Sequence, residues 1–276
     1  MSMPSVHAEQ CKKERSKPTK LFHFGTSFSK SNTISSAQYH QYEQDQGSNK
    51  SLNSLKLLDH LVYLLEEIPF DKFNSTLWMT HVDNLDKRSQ TFLDVARYTL
   101  CSFHLITKTI PEHANNYERT YFIENVIPSM LSLAKNTGFI EFKWCETEFR
   151  STKTMNMAEY DYDLRAAPPS KYIDALGIMS TQNNMELIVI ESSSGRLKEH
   201  TTHTIEDSLK ILECGVATLK KEAMHYKNAS RIKVFSVQVI KTQVTLLELS
   251  FFVEKQLAKL PTNWNDRLQI VQYLEL

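Results

Sequence analysis

A mixed α/β (α+β) domain is what the sequence predicts, with a helical N-terminal part followed by a core built on a mixed sheet. Three observations carry it. Between Ser51 and about residue 135, apolar residues recur at helical spacing. From Phe139 the period changes to the alternation of strands. A second helical stretch, at about 204–227, then separates one group of strands from the next. Three helices, three strands, a helix and two strands in that order read as helices packed on a mixed sheet.

Residues 1 to about 50 read as a tail. Lys12, Lys13, Arg15, Lys17 and Lys20 form a basic cluster, and residues 25–50 are rich in Ser, Gln and Asn. So few large apolar side chains cannot offset the entropy of ordering, so this stretch is expected to be disordered. The cluster reads either as a solvated charge run or as a nuclear-import signal. The remaining residues, enough for one sizeable core, divide into a helical part, 51–113, and an α/β core, 114–276.

The first helix starts at Ser51, a plausible N-cap, carries Leu55, Leu58, Leu61, Val62 and Leu65, and stops at Pro69. The second spans roughly 88–107, with Phe92, Val95, Ala96, Leu100 and Phe103 as its apolar face. The third runs from near Asn116 to about Lys135. Pro128 should split or kink it, and Gly138 is a suitable stop. Phe139–Phe149 alternates as a strand, and 151–170 reads as a connection. Strands follow at Lys171–Ser180 and Met185–Ser193, joined by Thr181–Asn184. The helix at about 204–227 shows Ile205, Leu209, Leu212, Val216 and Leu219 at helical spacing, and strands at 231–240 and 243–253 complete the core. Thr262–Leu276 reads as a capping segment.

Composition excludes several functions. Lys and Arg number 32, Asp and Glu 32, so no general basic coat exists to hold nucleic acid. Only 6 glycines are present, and neither a GxGxxG nor a GxxxxGK[ST] string occurs. Cys11, Cys101, Cys145 and Cys214 lie far apart with no CxxC spacing, which suits free thiols in a reducing compartment. A polar N-terminus and the lack of a long apolar run lead us to expect neither a signal peptide nor a membrane span, hence nucleus or cytoplasm.

One pair of residues stands out. If the two strands after residue 170 form a hairpin centred between Gln182 and Asn183, Asp174 directly faces Glu191. Opposed side chains have Cβ atoms about 4.5–5.5 Å apart. Both strands carry apolar residues on both faces, so two like charges meet at the edge of a core and lose hydration. A divalent cation bridging them removes the repulsion, and Mg²⁺ takes one or two carboxylates plus waters and phosphates. The bland alternative is a basic partner or a position at the solvent edge. A hairpin one residue longer or shorter would put the acids on opposite faces. Glu118, near the start of the third helix, is a further acid, although the helix dipole favours Glu there in any case. Glu146 reads as an exposed strand position. His200 and His203, with Glu206 nearby, have ligand-like spacing but no further His or Cys, and read as loop histidines. Basic residues such as Arg196, Lys198, Lys220, Lys221 and Lys233 could line a phosphate backbone.

At Glu118, Asp174 and Glu191 the chain resembles the PD-(D/E)XK nuclease superfamily. More closely it resembles a group of multicopy fungal proteins with a degenerate nuclease-like core of that type. The resemblance covers roughly residues 115–253 and rests more on the order of elements than on the short motif. It implies a restriction-endonuclease-like core in which Glu118 is the helix acid, Asp174 the hairpin Asp and Glu191 the Glu of the Glu-x-Lys motif. Asp174 and Glu191 would then be the metal ligands. The position of the motif's Lys falls on Ser193, whose hydroxyl carries no positive charge. Some members of the superfamily take that Lys from the following helix, where Lys210 stands here. The expectation is therefore a Mg²⁺-dependent nuclease-like domain acting on DNA or RNA, or a catalytically degenerate one. Glu118, Asp174, Glu191 and Lys210 are its candidate catalytic residues. The alternative is a non-catalytic scaffold of the same fold that binds nucleic acid or protein.

Overall fold

Helices are the elements described between residues 51 and 137: the second predicted helix covers the range its apolar spacing predicts, and the first and third are each divided in two. In the computed structural model the residues described are 36–37, 40, 51–108, 117–159, 169–181, 184–195, 197–225, 232–250 and 253–275. The basic cluster of the tail and Cys11 lie outside them, as does nearly all of residues 1–50.

The first predicted helix divides into α1 (Ser51–Ser54) and α2 (Leu58–Glu67). The break is a helix-ending turn: Lys56 adopts φ 58°, its N–H donates to Asn53 O, and Leu57 N–H reaches back to Leu52 O at 2.9 Å. The turn buries Leu52, Leu55 and Leu57. A 3₁₀ turn (Phe70–Lys72) and α3 (Phe73–Met79) follow, neither of which the apolar spacing singled out. α4 (Lys87–Thr107) starts where Asp86 accepts a hydrogen bond from Ser89 N–H at 2.7 Å, an N-cap. The third predicted helix divides at Val126 into α5 (Glu118–Asn125) and α6 (Ile127–Thr137), with Pro128 in the first turn of α6 and Gly138 closing it at φ 69°.

Six strands then form one sheet in chain order: β1 (Ile140–Phe149), β2 (Lys171–Met179), β3 (Glu186–Ser192), β4 (Val234–Ile240), β5 (Gln243–Leu249) and β6 (Val253–Lys259). Neighbours are antiparallel except β3 and β4, which are parallel. The crossover between those two is α8 (Thr201–His225). β6 was not anticipated, and the predicted connection 151–170 instead begins with α7 (Arg150–Glu159). The cause of α7 lies across the sheet. Glu186 Oε1 accepts from Arg150 N–H at 2.8 Å, and its Oε2 accepts from Ser151 N–H at 2.8 Å and from Ser151 Oγ. A buried carboxylate thus caps the helix from a distant strand, which no local spacing encodes.

Both faces of the sheet are covered. Leu61, Phe73, Leu93 and Leu100 of the N-terminal helices, with Ile270 of α9 (Gln269–Glu275), pack on Ala175, Ile190, Val237 and Val239. On the opposite face Ile211 and Cys214 of α8 pack on Leu176, Val189, Leu247 and Leu249. Gly177 is required by close packing: a Cβ there would lie 2.7 Å from Ile140 Cδ1 and 2.9 Å from Phe142 Cε1. The buried face of α8 is rotated from the predicted stripe. Ile205 is exposed, whereas Thr204, Asp207, Ile211, Cys214 and Thr218 are buried. No helix of the described residues is long and apolar enough to cross a membrane.

Candidate active site

The hairpin register decides whether the two acids meet. Ala175 pairs with Ile190, Leu176 with Val189 and Gly177 with Ile188. Continued by one residue, that register sets Asp174 against Glu191. Nearer the turn it slips, so that Ile178 pairs with Glu186. The slip lies on the far side from the acids and leaves their alignment unchanged. Beyond Ala175 the regular ladder gives way: Asp174 Oδ2 itself accepts the Ser192 N–H at 2.8 Å.

A second irregularity flanks Asp174. On β1, Trp144 pairs with Ala175 and Thr147 with Ile173, so Cys145 and Glu146 together oppose the single residue Asp174. Both adopt left-handed backbone, φ 65° and 47°, uncommon for residues other than glycine. This bulge kinks β1 where the acids gather. Glu146 forms an exposed ion pair with Arg119, the residue after Glu118 in the first turn of α5.

Glu191 is 2% exposed, and the ammonium of Lys210 lies 2.8 Å from its Oε1. The flank of α8 therefore does bring this lysine to the hairpin acids. Asp207, one turn earlier and also 2% exposed, places Oδ1 3.1 Å from Lys210 Nζ and Oδ2 3.3 Å from His203 Nε2. Asp207 was not singled out in the sequence. The apolar spacing pointed to Ile205 and Leu209 as the buried stripe, whereas polar residues fill the buried face of this end of α8. His203, read as a loop histidine, sits instead in the first turn of α8 against Asp207. His200 remains exposed.

Ser193, at the position of the motif's lysine, is 1% exposed, and its Oγ accepts from Gln238 Nε2 at 2.9 Å. Gln238, the β4 neighbour of Glu191, also donates to Thr204 O at 3.0 Å and accepts from Ser208 Oγ at 2.9 Å. This network ties the first turns of α8 to β3 and β4, and so fixes the helix from which Lys210 extends. A buried Gln among strand residues carried no sequence signal for that role.

The electrostatics follow from crowding four acids around one lysine. Burial raises the Glu191 carboxyl to about 9, with Lys210 pulling it down and Asp174 pushing it up. Burial raises Asp174 as well, offset by the Ser192 N–H and Lys210. Glu118, half-buried, is raised by burial and by the charges of Asp174 and Asp207, eased by His203 and Arg119. Burial works against the charged Lys210, but Glu191 and Asp207 outweigh it, and its pKa is raised. Lys210 is thus held as an ammonium and cannot serve as a base near neutrality.

Among the described residues, no group of three or more His, Cys, Asp or Glu side chains is arranged to hold a metal ion. The pair Asp174 and Glu191 fits the smaller protein share of a Mg²⁺ shell, which waters and phosphate oxygens complete. Glu191 Oε1 makes no hydrogen bond besides its contact with Lys210. Cys101, Cys145 and Cys214 are free thiols. No protein-family model matches the chain, and no curated protein or solved structure matches it.

Proposed function

We propose that the chain is a Mg²⁺-dependent nuclease-like domain of the PD-(D/E)XK type, acting on DNA or RNA phosphodiesters. The observation that carries this reading is the approach of Lys210 to Glu191, 2.8 Å between Nζ and Oε1, beside Asp174. It supplies, from a helix, the positive charge that Ser193 cannot. A bound Mg²⁺ would lower the pKa of a coordinated water and neutralise charge on the scissile phosphate. Asp174 and Glu191 would hold the ion, and Glu118 would accept a hydrogen bond from one of its waters. Lys210, fixed as a cation, faces the negative charge that builds on phosphorus as the water attacks. The Gln238 network holds α8 so that this charge is pre-positioned.

Purified protein with Mg²⁺ or Mn²⁺ should nick plasmid DNA or a single-stranded RNA. Asp174→Asn and Glu191→Gln should each abolish the cleavage. Cleavage that persists in both variants ends this reading.

A second reading is a scaffold of the same fold that binds nucleic acid or protein without cutting. Ser193 at the lysine position favours it, as does the 2.8 Å approach of Lys210 Nζ to Glu191 Oε1, the oxygen a metal would need. Retained binding of an oligonucleotide, with no cleavage under any divalent ion, would select this reading.

A further inference from the structure

We propose that Asp207 is the positioning residue of this site, holding the Lys210 ammonium at Glu191; the proposal rests on the nuclease-like reading for its functional consequence. Its two carboxylate oxygens face different side chains. Oδ1 lies 3.1 Å from Lys210 Nζ, and Oδ2 lies 3.3 Å from His203 Nε2. The Asp207 side chain is buried, so water screens its contact with Lys210 less than at the surface. A lysine has four rotatable side-chain bonds and, with Glu191 as its sole partner, would sample several arrangements. Anchored by Asp207 on its own helix and by Glu191 across the gap, the ammonium has one position.

His203 completes the arrangement from the other side. The imidazole, which is 48% exposed, lies beside Asp207 Oδ2 without hydrogen-bonding to it and limits how far the carboxylate can turn from Lys210. The three residues lie on consecutive turns of one face of α8, at spacings of four and three. The backbone below them is pinned at Thr204 and Ser208 by Gln238. In the hydrolysis the water oxygen bonds to phosphorus, the ester P–O bond breaks, the water proton passes to solvent, and the leaving oxygen is protonated from solvent. Asp207 takes no part in these transfers. It acts through Lys210, which keeps all its protons and balances the phosphorane charge.

The test uses Asp207→Asn, which keeps the shape and removes the charge, and Asp207→Glu, which restores the charge. Two readouts are taken on the full chain. The first needs no activity: the rate at which an amine-reactive reagent labels Lys210 in the metal-free protein, followed by peptide mass spectrometry. Asp207→Asn should raise that rate several-fold, and Asp207→Glu should return it towards the starting value. The second is the maximal cleavage rate with Mg²⁺, beside oligonucleotide affinity measured with Ca²⁺. Asp207→Asn should lower the rate by about 10²-fold, the scale of a catalytic group misplaced by about 1 Å, with affinity unchanged. In a Lys210→Met background it should lower the rate no further. Unchanged labelling in Asp207→Asn, with its melting temperature preserved, overturns the proposal even if the protein cleaves. A wild-type chain that never cleaves overturns the nuclease reading and leaves the labelling result to decide Asp207.

Discussion

The ammonium of Lys210, carried on the crossover helix, lies 2.8 Å from Oε1 of Glu191 on the strand before it. With Asp207 also at 3.1 Å, it is the shared counter-charge of two carboxylates that are each 2% exposed. Lys210→Met leaves both buried without that partner. We predict a loss of about 3 kcal/mol above about pH 9, where Glu191 has given up its proton, the usual cost of breaking a buried ion pair from one side. Adding Glu191→Gln and Asp207→Asn should recover most of it. Chemical denaturation of the single and triple variants measures both.

Metal binding should stabilise the fold. A ligand that binds only the folded chain raises stability in proportion to the logarithm of its concentration over Kd, about 2.7 kcal/mol at a hundredfold excess. Mn²⁺ or Mg²⁺ should therefore raise the melting temperature by several degrees. Asp174→Asn and Glu191→Gln should each remove the rise, while a control at the exposed Glu141 should keep it.

The pH dependence has a defined sign. Burial holds the Glu191 carboxyl at about 9, well above its ordinary value, and it raises Asp174 and Glu118 in the same direction. A raised carboxyl keeps its proton in the fold after the unfolded chain has lost it, so what these three groups contribute to stability is greatest at low pH. It is lost as pH rises from the ordinary carboxyl range towards about 9. Metal-free wild type should thus lose stability relative to Glu191→Gln across that window. Saturating Mg²⁺ should cancel the loss, because the ion replaces the proton. Thermal melts of both proteins at several pH values, with and without metal, check this.

Two positions outside the site test the packing that supports it. Gly177→Ala places a methyl 2.7 Å from Ile140 Cδ1 and should cost about 1–3 kcal/mol. Glu186→Gln keeps the size of the side chain but sets an amide against donors that all require an acceptor. It should cost about 2 kcal/mol and fray the first turn of α7. Urea melts measure both, and hydrogen exchange at Arg150 and Ser151 localises the second.

The hairpin was legible in the sequence because strand alternation fixes faces, and the turn residues fix the register to within one residue. The slip at Ile178 fell on the harmless side of Ala175. The α/β order was legible because the period changes cleanly at Phe139. What stayed hidden depended on contacts between distant segments. The cap on α7 is Glu186 on another strand, and the break between α1 and α2 needed Lys56 in a conformation usually left to glycine. Asp207 stayed hidden because apolar spacing locates a buried face only when that face is apolar. At the N-terminal end of α8 the buried residues are Thr204, whose backbone carbonyl accepts from Gln238 of β4, and Asp207, which meets Lys210. The bulge at Cys145 and Glu146 left no trace, since neither residue is one that normally signals a left-handed turn.

The central claim is that Asp174 and Glu191 together hold a divalent cation next to Lys210. Crystals soaked in Mn²⁺ and measured at the manganese absorption edge test it most directly. The account predicts an anomalous peak within about 2.0–2.4 Å of a carboxylate oxygen from each acid, the range for hard cations on oxygen ligands. A saturating soak that leaves no peak there, with Lys210 still seated on Glu191, would contradict it.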